Sequence, residues 1–101
     1  MAEYITVAGA NDISSGQSKV FEVKGNQVAV CNINGNYYAF ANICPHRGGP
    51  VGEGEIEGTV ITCPWHGWAF DITTCVNTMN PLAKLTKYDI KIDNNELKIN
   101  A

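Results

Sequence analysis

At 101 residues the chain is the size of one domain with a modest hydrophobic core. Its composition, 45% hydrophobic and 17% charged, is that of a globular protein, and no apolar run is long enough to cross a bilayer as a helix. A net charge of −3 and a single arginine, Arg47, argue against nucleic-acid binding, which calls for a basic surface.

The N-terminus, Met1 to Ala8, lacks a basic start followed by an apolar stretch, and one arginine cannot make a twin-arginine signal, so a cytoplasmic location without a membrane anchor is expected. Tyr4–Ala8 and Lys19–Val23 alternate or carry β-branched residues and are predicted strands. Between them Asn11–Gly16 reads as a loop with one helical turn capped by Asn11 or Asp12. Gln27–Ile33 and Tyr37–Ala41 flank Asn34-Gly35-Asn36, a strong hairpin signal. From Cys44 to Met79 the chain is dense in Gly, Pro and Trp, with two short apolar runs, Val60-Ile61 and Ala69-Phe70. This predicts a small subdomain of loops and short strands, about residues 43–80, inserted in a larger all-β frame within a single domain spanning 1–101. Glu53, Glu55 and Glu57 alternate there in a strand-like stretch, read as a solvated face with a docking patch as the alternative. Lys87–Ile92 and Glu96–Ile99 then alternate apolar and charged residues around Asp93-Asn94-Asn95, a second hairpin with one wet face.

The inserted segment holds the chemistry. Cys44-Pro45-His46 and Cys63-Pro64-Trp65-His66 are separated by sixteen residues and contain both histidines of the chain. Each segment offers one thiolate and one imidazole, so two facing loops can give two cysteines to one iron and two histidines to the other. A mononuclear zinc site also takes two cysteines and two histidines, but usually pairs like with like along the chain. Buried structural cysteines with satisfied histidines form the third reading, which leaves unexplained why both histidines sit beside Cys-Pro dipeptides. Pro45 and Pro64 stiffen their turns, while Gly48, Gly49, Gly52, Gly54 and Gly67 allow close backbone approach. Cys31, in a strand-like run, and Cys75, in a turn-like one, are expected to be reduced thiols; a bond between them is the alternative.

The segments Cys44-Pro-His-Arg-Gly-Gly-Pro50 and Cys63-Pro-Trp-His-Gly-Trp68 resemble those of Rieske-type two-iron, two-sulfur ferredoxins of bacterial ring-hydroxylating oxygenase systems. The resemblance covers nearly the whole chain. It implies an all-β fold, a β-sandwich or barrel base carrying a cluster-binding tip, and one [2Fe-2S] cluster held by Cys44, His46, Cys63 and His66. It also implies that Pro81, in Met79-Asn-Pro-Leu82, belongs to a third loop covering the cluster. Trp65 and Trp68 are candidates to shield it, with ordinary core packing as the alternative, and Arg47 is a candidate for docking or a surface salt bridge. At Cys75 the family more often has glycine, which puts the local turn in question.

Neutral imidazoles in place of two thiolates leave the oxidised site formally neutral, so such centres lie at roughly −150 to +300 mV against about −400 mV for plant-type ferredoxins. High-potential members carry a bridging disulfide between the ligand loops and hydroxyl donors beyond the second histidine. The matching positions here are Gly49 and Trp65, then Trp68 and Phe70, which supply neither. The low end of the range is therefore expected.

Fully ligated irons leave no open position for substrate, and the rest of the chain has no nucleotide fingerprint, flavin motif or mononuclear iron triad. The resemblance thus implies a one-electron carrier rather than an enzyme, and a monomer is expected. A flavoprotein reductase and a terminal oxygenase would dock in turn near His46 and His66. The alternative of another class is a small subunit of an assimilatory nitrite reductase.

Overall fold

A computed structural model of the chain describes residues 4–43, 50–65, 67–80 and 82–100. Ten strands follow in order: β1 (Tyr4–Gly9), β2 (Gln17–Val23), β3 (Asn26–Ile33), β4 (Asn36–Ala41), β5 (Glu55–Glu57), β6 (Val60–Thr62), β7 (Ala69–Asp71), β8 (Val76–Asn77), β9 (Lys87–Asp93) and β10 (Glu96–Asn100). The larger sheet has the order β1-β10-β9-β4-β3-β2 and curls until its edge strands β1 and β2 meet. The smaller is a meander, β5-β6-β7-β8, which leaves the chain after β4 and returns it at β9. All pairings are antiparallel. The all-β frame with an inserted loop-rich unit is as expected.

Tight hairpins set the register of the larger sheet. Asn34 and Gly35 both have positive φ, 52° and 89°, and Ile33 pairs with Asn36, so the turn is two residues long. Asn94 and Asn95, at φ 52° and 62°, make the equivalent turn between β9 and β10. A third such turn, Lys24-Gly25, joins β2 to β3, a hairpin the strand pattern had not signalled. All three have the primed geometry that matches the twist of paired strands. The expected helical turn starts two to three residues early, a 3-10 turn at Ala10–Asp12 with Gly9 rather than Asn11 or Asp12 in the N-cap position. Asp12 does not cap it from in front; its Oδ2 reaches back to accept the Gly9 N–H at 2.9 Å.

β3 explains the two-layered core. Val28 and Val30 face the interior of the curled sheet, with Ile13, Val23, Ala39, Leu97 and Ile99. Ala29, Cys31 and Ile33 point the other way, onto Val51, Ile61, Phe70 and Ile72 of the smaller unit. A strand covered on both faces reads as a continuous apolar run, as Val28-Ala-Val-Cys31 does.

Three polar side chains are buried among the described residues, and all are asparagines: Asn32, Asn42 and Asn77. Each satisfies backbone groups, as burial of an amide demands. Asn32 donates to the Ile13 carbonyl at 2.8 Å and accepts the Gly35 N–H at 2.9 Å, fixing the first hairpin to the preceding loop.

Cys31 and Cys75 are free thiols, both buried in the core between the two sheets. Burial pushes the Cys31 thiol up to about 12, and neighbouring Cys75 adds to the shift, against a hydrogen bond from Ser18. A thiol is neutral when protonated, so the folded state keeps a proton that the unfolded state releases above its ordinary value of 9.0. Cys31 therefore favours folding below pH ~9, and that contribution drains away as pH rises toward ~12. Urea denaturation at about pH 8 and about pH 10.5 should show a steeper alkaline loss in the native protein than in Cys31→Ala.

Candidate functional site

Of the four expected ligands, Cys63 lies within the described residues; Cys44, His46 and His66 lie outside them, as do Arg47, Gly49 and Pro81. What is described is the frame that holds the three loops. β6 and β7 form a hairpin whose last strand pair is Thr62 with Ala69. One step further the Cys63 N–H donates to the Trp68 carbonyl at 2.7 Å, so Cys63 and Trp68 close the base of the second ligand segment. Gly67, at φ 71°, takes the left-handed conformation that turns the chain back into β7. Cys63 itself is 1% exposed, at the end of a strand whose position is set by pairing on both sides.

The first ligand segment is tied in the same manner. Asn42 and Gly52 stand on either side of it, and Asn42 Oδ1 accepts the Gly52 N–H at 2.7 Å while its amide donates to Gln27 Oε1 at 3.1 Å. The Gly52 carbonyl accepts the Ser18 hydroxyl at 2.6 Å, which anchors the returning chain to β2. A side chain at Gly52 would lie 2.6 Å from Ala29 Cβ and 2.8 Å from Asn42 Oδ1, so glycine is required by close approach to the base. Gly54 is tighter still: its Cβ would stand 1.8 Å from the Thr62 carbonyl oxygen.

The third loop leaves β8 and returns at Ala83 and Lys84. Val76 bridges to Lys84, and the Asn77 N–H donates to the Ala83 carbonyl at 2.9 Å. Just before it, Cys75 has φ 61°, so the left-handed turn is kept although cysteine stands where the family favours glycine. The Asp71 carbonyl accepts the Cys75 N–H at 2.6 Å, the Cys75 carbonyl accepts the Leu85 N–H at 2.7 Å, and the side chain is buried, which holds the residue there.

The tryptophans divide. Trp68 packs against the core between the sheets, its ring 6.5 Å from that of Phe70, while Trp65 is half exposed on the second loop. Glu53, Glu55 and Glu57 are exposed, as a solvated face requires. Beside Cys63 a cleft of about 510 Å³ is lined by Thr62, Pro64 and Gly67 on one side and Glu53 to Glu55 on the other.

Residues 3–89 match the model of the Rieske [2Fe-2S] domain. The chain belongs to the Rieske family. Over 92 residues, 90% of this chain and 88% of the relative, it is 35% identical to the ferredoxin component of naphthalene 1,2-dioxygenase/salicylate 5-hydroxylase systems from a Ralstonia species. It is 32% identical over 97 residues to apoptosis-inducing factor 3 of Mus musculus, of which the match spans 16%. Among solved structures, the ferredoxin in a complex of reduced oxygenase and oxidised ferredoxin of carbazole 1,9a-dioxygenase superposes with a TM-score of 0.89 at 26% identity, covering 96% of this chain and 92% of that one.

A Rieske cluster suits the described part of this Rieske domain. Cys63 supplies the thiolate type that iron requires, from a stiff hairpin beside an open cleft. The other expected ligands lie on segments whose described stems, at Asn42–Gly52 and Cys63–Trp68, are both anchored by hydrogen bonds.

Proposed function

We propose that this Rieske domain is a one-electron carrier in which Cys44, His46, Cys63 and His66 hold the cluster. When bound, the cluster supplies a reversible one-electron couple. The chain's own residues hold it and present it. The observation that carries the reading is the distribution of exposed apolar side chains. Six large ones are exposed among the described residues, and four flank or belong to the cluster loops: Ile43 (58%), Trp65 (51%), Met79 (90%) and Leu82 (89%). Apolar exposure gathered at one functional region marks a surface for partners rather than for solvent. Transient docking at that tip would bring a flavoprotein reductase and a terminal oxygenase within reach of His46 and His66 in turn. The naming of the Ralstonia relative and the carbazole dioxygenase complex support an oxygenase as the downstream partner. Among the described residues no helix is long and apolar enough to cross a membrane, in keeping with a carrier that diffuses in the cytoplasm.

The carrier should couple oxidation of a nicotinamide nucleotide by a purified flavoprotein reductase to reduction of a terminal oxygenase. Leu82→Lys should slow that transfer several-fold while leaving iron content and potential unchanged. Unimpaired transfer by Leu82→Lys would contradict docking at this surface. Tight co-purification with a large sirohaem subunit would favour the nitrite reductase role instead.

A further inference from the structure

We infer that Asn77 is a positioning residue: it holds the Thr78–Asn80 segment against the second ligand hairpin and so sets how much water reaches the ligand region. The inference rests on the carrier reading above. Asn77 is 7% exposed, and its carboxamide oxygen accepts two backbone N–H groups at once, from Met79 and Asn80, each at 2.8 Å. Asn80 repeats the device one turn on, its Oδ1 accepting the Leu82 N–H at 3.1 Å. The Thr78 N–H donates to the Ala69 carbonyl at 3.0 Å, which docks the start of the loop onto β7, directly behind the second ligand hairpin. Between the loop and that hairpin lies a recess of about 230 Å³, walled by Gly67, Trp68 and Ala69 on one side and by Asn77 to Asn80 on the other.

No apolar contact does this work instead. Met79 and Leu82 are almost wholly exposed, so the loop has no buried anchor of its own among the described residues. Hydrogen bonds hold it, and the one buried side-chain acceptor among them is the Asn77 amide oxygen, which takes two of the loop's N–H groups. Removing that oxygen frees two N–H groups to seek water and opens the recess. Reduction adds one negative charge, which water stabilises, so a looser loop raises the potential.

The test compares wild type, Asn77→Ala, Asn77→Ser and Asn80→Ala as iron-loaded proteins, by voltammetry and by amide hydrogen exchange. Asn77→Ala is expected to raise the potential and to speed exchange at Met79 and Asn80 roughly tenfold or more. Serine keeps a short side-chain acceptor that makes similar turns, so Asn77→Ser should return toward wild type in both readouts. Asn80→Ala, which loses only the Leu82 bond, should shift the potential less but in the same direction, and it decides the matter where Asn77→Ala does not fold. An unchanged potential with lowered melting temperature would reduce Asn77 to a merely structural residue and overturn the inference. Wild-type protein with no couple would contradict the carrier reading, while slow exchange at Met79 and Asn80 in Asn77→Ala would still refute the hold on the loop.

Discussion

Cys63→Ala should yield colourless protein without iron or inorganic sulfide, whereas Cys31→Ala and Cys75→Ala should keep both. The three thiols are alike in burial, at 1%, 0% and 2% exposed, so burial cannot tell them apart. Their surroundings do. Cys31 and Cys75 lie in the apolar core between the sheets, where burial raises both thiols and favours the protonated form. Cys63 shares that core cluster but follows directly on β6 at the mouth of a hairpin and lines a cleft, where a thiolate can meet a metal. Metal and sulfide analysis of the three purified variants checks the assignment. Full iron in Cys63→Ala, or its loss from Cys75→Ala, would reverse it.

Gly54→Ala is the second substitution with a large expected effect. Gly54 has ordinary backbone angles, φ −75° and ψ 172°, so no left-handed conformation demands glycine here. Space does. An added Cβ would lie 1.8 Å from the Thr62 carbonyl oxygen and 2.7 Å from its carbon, and a backbone carbonyl cannot rotate aside as a side chain can. Relief requires parting β5 from β6, where Glu55 pairs with Thr62, and that moves the residue next to Cys63. The cost should be about 3 kcal/mol or more, at the upper end for overpacking, or a fall in melting temperature of roughly 12 °C or more for a domain of this size. Iron content should drop with it. Gly9→Ala is the control: its φ is −82°, its nearest neighbour to a new Cβ is Asp12 Oδ2 at 3.4 Å, and its stability should stay within about 0.5 kcal/mol of wild type. Calorimetry on the pair measures the difference. A Gly54→Ala protein as stable as Gly9→Ala would show that the β5–β6 contact yields freely.

Much of this was legible in the residues, for identifiable reasons. Long strands with one wet face, such as Lys87–Asp93, announce themselves by alternation. The Asn34-Gly35 turn does so because few residues adopt positive φ willingly. The two residues of β8 are too few to show a period, whereas alternation at Glu53, Glu55 and Glu57 had marked the three-residue β5 as strand-like. The Lys24-Gly25 hairpin was hidden by lysine, which has no special preference for the left-handed region it occupies at φ 51°. At Cys75 the departure from glycine put the turn in question, and the structure shows a left-handed residue at φ 61° with a buried side chain.

For the site the division is sharper. Cysteine and histidine at fixed offsets are rare enough to be read directly, and they led to the family to which the chain belongs. The residues that hold the loops are not readable in this way. Asn42 and Asn77 resemble any loop asparagine, and their partners are backbone N–H groups whose places exist only after the sheets have formed. The glycines at 52 and 54 were visible as flexible loop residues. In the structure they serve for closeness, packing two backbones nearer than a methyl group permits.

The expected potential rests on two residue identities. Trp68 and Phe70, which stand at the two hydroxyl-donor positions, carry no O–H, and Phe70 is fully buried beside Trp68. The midpoint potential of the purified, iron-loaded protein, measured by voltammetry, tests the central claim most directly. A reversible one-electron couple at the negative end of the range for such centres, near about −150 mV, is the result this account predicts. Colourless, zinc-containing protein with no couple at all would contradict it.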